Sequence, residues 1–238
     1  MGDDRTDVNE TRDGHIRRFD SSVTYWNLRS FFAIFYTIYQ HISEGMPHPL
    51  ETQYGLTANE LLDAINKRFR AKVTLEGAVA EVKAGKIIKS LEEKGLIIRS
   101  KEHDRDAYPD YTVWIEGRET GIRIECKNIR DADEAYKKDG KVIAYKVETQ
   151  KTRASKGDPS SRCYSYKQFE ILGVCLGKKT GNWADFLFIS ANKLIKHSEY
   201  RGKMATMQRV PLLDGDDFGH WHRDLAELLQ TLKQKRRP

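Results

Sequence analysis

The sequence predicts a mixed α/β fold, with helices gathered in its N-terminal part and strands dominating from about residue 96 onward. Three observations carry that expectation. Apolar residues recur at helix spacing, between capping signals, from residue 21 to 94. Short alternating runs then follow, broken by Pro-Asp and Gly, as expected of strands and a hairpin. Finally, Trp183 to Ile189 is an unbroken apolar run of strand length, the pattern of a strand buried on both faces, and an amphipathic segment follows it.

Residues 1–20 hold almost no large apolar side chains and read as a disordered arm. Ser21 or Ser22 can cap a helix carrying Trp26, Phe31, Ile34, Phe35, Ile38 and Ile42 near a 3.6 period, which Gly45, Pro47 and Pro49 stop. So aromatic a helix suits either a core or a dimer face. Thr57-Ala58-Asn59-Glu60 is a capping box. It predicts a helix to about Phe69, with Leu61, Leu62, Ile65 and Phe69 as its stripe. Thr74 can cap the next helix, running to about Lys94, where Gly95 ends it. The implied organisation is an arm at 1–20, a helical region at 21–72, and one domain at 73–238.

Strands are predicted at 96–100, 109–116 and 121–127, and a further one at 141–147. Residues 128–139 read as polar and charged, and 151–162 as a loop rich in Lys, Arg, Ser and Gly. Tyr166, Phe169, Leu172, Gly173 and Leu176 have helix spacing and predict a helix. A short helix is expected at 191–197, loop at 198–216, and a closing helix at 220–233 that begins at His220-Trp221-His222.

With 238 residues the chain suffices for one domain of ordinary size. A net charge of +6 and a pI near 9.1 suit a polyanionic partner. Cys126, Cys163 and Cys175 are odd in number, lack metal-type spacing and follow no signal peptide, which predicts free thiols in a reducing, cytoplasmic compartment. The longest apolar run, Phe31 to Tyr39, is too short to cross a membrane.

Side chains alternate along a strand. Asp110, Glu125 and Lys127 should therefore meet on one face of the 109–127 hairpin, while Tyr111, Val113, Ile122, Ile124 and Cys126 turn to a core. Two carboxylates beside a lysine can hold Mg²⁺ and a phosphate. The metal prefers oxygen ligands and keeps several waters, so the carboxylates plus the Cys126 backbone carbonyl form an adequate set. Such a metal polarises a phosphate and acidifies a water, and Lys127 can orient that water, help deprotonate it or stabilise developing charge. Ordinary surface charges on an amphipathic hairpin fit the same pattern.

Pro109-Asp110, fourteen residues, then Glu125-Cys126-Lys127 resembles the signature of the PD-(D/E)XK nucleases in its full form. The resemblance spans roughly residues 75–190 and implies a restriction-endonuclease-like αβββαβ core with a mixed central sheet. Asp110 and Glu125 would then be metal ligands and Lys127 the catalytic lysine. Glu81, on the first core helix, matches a glutamate that many members direct at the metal. Size and layout look most like type II restriction endonucleases, which implies Mg²⁺-dependent hydrolysis of double-stranded DNA to 5′-phosphate and 3′-hydroxyl ends by a homodimer. The helical region at 21–72 would then serve dimerisation or DNA recognition.

Lys151, Arg153, Lys156 and Arg162, beside Tyr164 and Tyr166, suit contacts to phosphates and bases, and a solvated loop is the plainer alternative. Gln168 could assist the site. Two other readings stay open. One is a repair or junction-resolving nuclease of the same fold. The other is a non-catalytic winged-helix protein using residues 57–108, with the helix before Gly95 in the major groove.

Overall fold

The computed structural model describes residues 46–105, 108–131, 134–151, 155, 157–215 and 218–234. The expected arm, the aromatic helix at 21–42 and the last basic residues lie outside these. The chain divides into two compact units, Met1–Asp63 and Ala64–Pro238. The boundary drawn from sequence at 72/73 falls inside a helix of the second unit.

In the first unit, α1 (Pro49–Tyr54) opens with a capping box built from His48 and Glu51. The sequence marks Pro49 only as a stop to the preceding segment. At the first helical position its missing N–H costs nothing and its fixed φ suits the helix. Helix α2 (Ala58–Asn66) starts as expected from Thr57-Ala58-Asn59-Glu60. The Glu60 carboxylate accepts the Thr57 N–H at 2.8 Å, and the Thr57 hydroxyl accepts the Glu60 N–H at 3.3 Å. Neither helix buries a residue.

Helix α3 (Phe69–Glu93) is longer than predicted. Thr74 does not cap it. Its hydroxyl donates to the Arg70 carbonyl at 3.0 Å within the helix. Ala80, Ala84, Ile88 and Leu91 form the buried stripe. Gly95 ends the helix as predicted, at φ +73°.

The strands are β1 (Arg99–Glu102), β2 (Tyr111–Trp114), β3 (Ile122–Asn128), β4 (Ala135–Lys138), β5 (Lys141–Glu148), β6 (Ile171–Cys175), β7 (Phe186–Ser190), β8 (Met207–Val210) and β9 (Trp221–His222). Six form one mixed sheet in the order β1-β2-β3-β6-β7-β9, and β4, β5 and β8 form a second. All pairs in the large sheet are antiparallel except β3 with β6. The mixed α/β class with a mixed central sheet therefore stands as read from sequence.

A short helix, α4 (Gly177–Thr180), lies between β6 and β7. Both faces of the large sheet are covered. On one face, Ile122, Ile124, Cys126, Phe186 and Phe188 pack with the α3 stripe and with Leu225, Leu228 and Leu229 of α5 (Leu225–Gln234). On the other, Leu172, Val174, Leu187 and Ile189 pack with Ile129, Val147, Phe169, Met204 and Val210. Burying these side chains is the main stabilising term, at about 25 cal/mol per Å² of apolar area.

The helix expected from Tyr166 is absent, and the chain there becomes β6. Its five residues are all buried, because the strand lies inside the sheet beneath cover on both faces. A doubly buried strand has no alternation, and Leu172, Gly173 and Leu176 imitate helix spacing by chance of composition. Between β3 and β6 the chain instead passes through the β4–β5 hairpin. The expected helical start at His220-Trp221-His222 is also corrected, since Trp221 and His222 pair with Ile189 and Phe188 as β9. Helix α5 begins after Asp224, whose carboxylate accepts the Ala226 N–H at 2.8 Å. The expected helix at 191–197 is a single 3-10 turn, Ala191–Lys193.

The winged-helix alternative does not survive this topology. The segment after Gly95 is not a wing but the edge strand of the six-stranded sheet. No helix among the described residues is long and apolar enough to cross a membrane. Cys126, Cys163 and Cys175 are buried free thiols.

Candidate active site

The site grows from the pairing of β2 with β3. Tyr111 opposes Ile124, so Asp110 and Glu125, one residue outward on each, fall side by side. The Cys126 N–H donates to Asp110 Oδ2 at 2.6 Å, clamping the residue before β2 to the middle of β3. Tyr111 turns the other way and donates its hydroxyl to the Glu81 carbonyl at 2.9 Å. Gly85 leaves room for that ring, since a Cβ there would lie 2.6 Å from the Tyr111 oxygen.

Glu125 is the most confined member, with its side chain 6% exposed. Its Oε1 accepts from two donors, the Lys127 ammonium and the Tyr164 hydroxyl, the latter at 2.5 Å. Lys127 Nζ also donates to the Cys126 carbonyl at 3.1 Å. The structure thus brings Asp110, Glu125 and Lys127 together on one face, as the alternation predicts. Arg123 shares that face but is held apart from the site, because Glu170 takes its guanidinium in a two-pronged ion pair.

The electrostatics follow from crowding in a poorly solvated place. Burial, and then the negative charge of Glu125, push the Asp110 carboxyl up to about 7, against the pull of Lys127 and the Cys126 N–H. Burial alone would lower Lys127, but Glu125, Tyr164 and Asp110 outweigh it and hold the ammonium firmly protonated. Glu81 stands at the exposed rim, on α3. Desolvation and then Glu125, Glu102 and Asp104 raise its carboxyl, against the pull of Lys127. It therefore belongs to the same cluster of charges.

Asp110 Oδ1 and Glu125 Oε2 have no protein partner among the described residues. Two hard carboxylate oxygens, with a carbonyl that retains a second lone pair, fit Mg²⁺. Water would have to supply the other ligands, since no group of three His, Cys, Asp or Glu suited to a metal ion exists among the described residues.

The remaining predicted residues are dispersed. Lys151 and Arg162 face each other across a short bridge, with the Lys151 N–H donating to the Arg162 carbonyl at 2.9 Å. The Lys151 ammonium lies 5.9 Å from the Tyr164 ring centre, so this end of the basic segment adjoins the cluster. Arg153 and Lys156 lie outside the described residues. Gln168 is engaged elsewhere, its side-chain oxygen accepting the Ser165 N–H at 2.8 Å to close a turn. Tyr164 is the residue that sequence reasoning passed over as a site member. It lies 39 positions from Glu125, and no spacing rule links the two.

Neither a protein-family model nor a curated protein sequence matches the chain. Among solved structures, a bacterial homing endonuclease aligns at 16% identity with a TM-score of 0.39, over 68% of this chain and 93% of that one.

Proposed function

We propose that the protein is a Mg²⁺-dependent DNA endonuclease of the type II restriction kind, hydrolysing phosphodiester bonds of double-stranded DNA to 5′-phosphate and 3′-hydroxyl ends. The observation that supports it is the convergence of Asp110, Glu125 and Lys127 at one end of a mixed sheet, with Asp110 Oδ1 and Glu125 Oε2 free of protein partners among the described residues.

In this reading Asp110 and Glu125 hold the cation, with the Cys126 carbonyl as a third donor. Mg²⁺ bound there supplies charge to the scissile phosphate and a more acidic water. Lys127 stays protonated, because Glu125 and Asp110 stabilise its charge. Its part is then to stabilise the charge that develops on the phosphate oxygens rather than to act as a base. Lys151 and Arg162 carry positive charge beside the site and suit the DNA backbone. Glu81, at the rim, would add a further negative charge to the site, as its mutual influence with Glu125 and Lys127 suggests. Cutting both strands of a palindrome favours two such sites related by a two-fold axis, hence a homodimer.

The test is incubation of purified protein with mixed-sequence plasmid, in Mg²⁺ and in EDTA. Discrete fragments appearing only with Mg²⁺ support the restriction reading. A smear or structure-specific nicking would support a repair nuclease instead, and intact DNA in both conditions would refute cleavage.

A further inference from the structure

Glu125 has one saturated oxygen and one free oxygen. Oε1 receives Tyr164 Oη at 2.5 Å and also the Lys127 ammonium, while Oε2 has no protein partner among the described residues. The Tyr164 ring that supplies the first donor is itself fixed. It meets Phe169 edge-on with centroids 5.2 Å apart, its backbone carbonyl accepts the Met204 N–H at 2.8 Å, and the Lys127 ammonium lies 5.7 Å from its centre. Phe169 and Met204 are among the most deeply buried side chains.

A carboxylate with one oxygen occupied by two donors can offer a cation only the other. That matters because the two common hard cations use carboxylates differently. Mg²⁺ demands a compact octahedron and takes single carboxylate oxygens, whereas Ca²⁺ is larger and readily takes both oxygens of one carboxylate.

We propose that Tyr164 is a positioning residue that restricts Glu125 to donation through Oε2 and so biases the site toward Mg²⁺ over Ca²⁺. This rests on the metal-site reading above and adds to it the residue that sets the choice of ion. Lys127 alone cannot impose the restriction as firmly, since its ammonium divides between Glu125 and the Cys126 carbonyl.

The experiment is calorimetric titration of the metal-free full-length protein with Mg²⁺ and, separately, with Ca²⁺, for the parent and Tyr164→Phe. Phe keeps the ring and its packing against Phe169 and removes only the donor. The expected result is that the Ca²⁺-to-Mg²⁺ affinity ratio rises about tenfold in Tyr164→Phe, the worth of one hydrogen bond to a charged group. A merely structural loosening would weaken both ions together and leave the ratio unchanged, and that result overturns the proposal.

A second readout needs no variant. Infrared spectra of the parent carrying ¹³C-labelled glutamate should show single-oxygen carboxylate binding with both ions. Two-oxygen binding with Ca²⁺ in the parent would also overturn it. If the parent binds neither ion, the metal-site reading falls and takes this role with it. If both ions bind with the expected ratios but DNA is never cut, the nuclease reading falls while Tyr164 keeps its role.

Discussion

Asp110→Asn should stabilise the metal-free protein while abolishing cleavage. The substitution is nearly isosteric, and the amide's carbonyl oxygen can still accept the Cys126 N–H that Asp110 holds at 2.6 Å. What it removes is a negative charge that the fold keeps poorly solvated beside Glu125. Raising a carboxyl from 3.8 to about 7 sets a ceiling of about 4 kcal/mol on the cost of ionising it in the folded state. Asp110 is only partly buried, and screening by water reduces this to an expected gain on the order of 1–3 kcal/mol.

The sign with pH is specific. The folded-state value is raised, so the parent's stability from this group is complete below about pH 4 and is lost as pH rises through about 7. Parent and variant should therefore be equally stable near pH 4, diverge between, and stay apart above about pH 7, with the variant the more stable. Urea denaturation of the metal-free proteins across this range measures it. A variant equally or less stable than the parent at about pH 8 would refute the claim that Asp110 is an electrostatically strained carboxylate.

Lys127→Met should destabilise the metal-free protein by about 3 kcal/mol at about pH 8, because it leaves Glu125 and Asp110 facing each other without their counter-charge, and by less at about pH 5, where Asp110 is protonated; denaturation at the two pH values checks it. Apparent Mg²⁺ affinity should fall about tenfold per pH unit below about 7, since the ion must then displace the Asp110 proton. It should level off above that, as titration calorimetry across the range would show. Gly85→Ala should cost about 1–3 kcal/mol in denaturation, because a Cβ 2.6 Å from the Tyr111 hydroxyl oxygen forces that ring away from α3.

The hairpin carrying the site was legible because its residues obey a local rule. Alternation along β2 and β3 places Asp110, Glu125 and Lys127 on one face, and the structure agrees. Capping signals likewise located α2, from Thr57 and Glu60, and the end of α3 at Gly95. What escaped was set by tertiary context. Ile171–Cys175 is buried on both faces, so the feature that separates strand from helix in a sequence is missing there. Strands β4 and β8 are short, polar in part, and exist through pairing with β5, a partner that no local window shows. Tyr164 belongs to the same class. Its place against Glu125 is created by the path of the chain through the second sheet, and nothing near it in sequence marks it.

The role proposed for Asp110, Glu125 and Lys127 is that of one metal-dependent phosphodiester-cleaving site. It is tested most directly by following supercoiled mixed-sequence plasmid with the parent, Asp110→Asn and Lys127→Met in Mg²⁺, with EDTA as the control. The expected result is discrete fragments from the parent in Mg²⁺ alone and none from either variant. Cleavage by both variants at the parent's rate, or by the parent in EDTA, would contradict it.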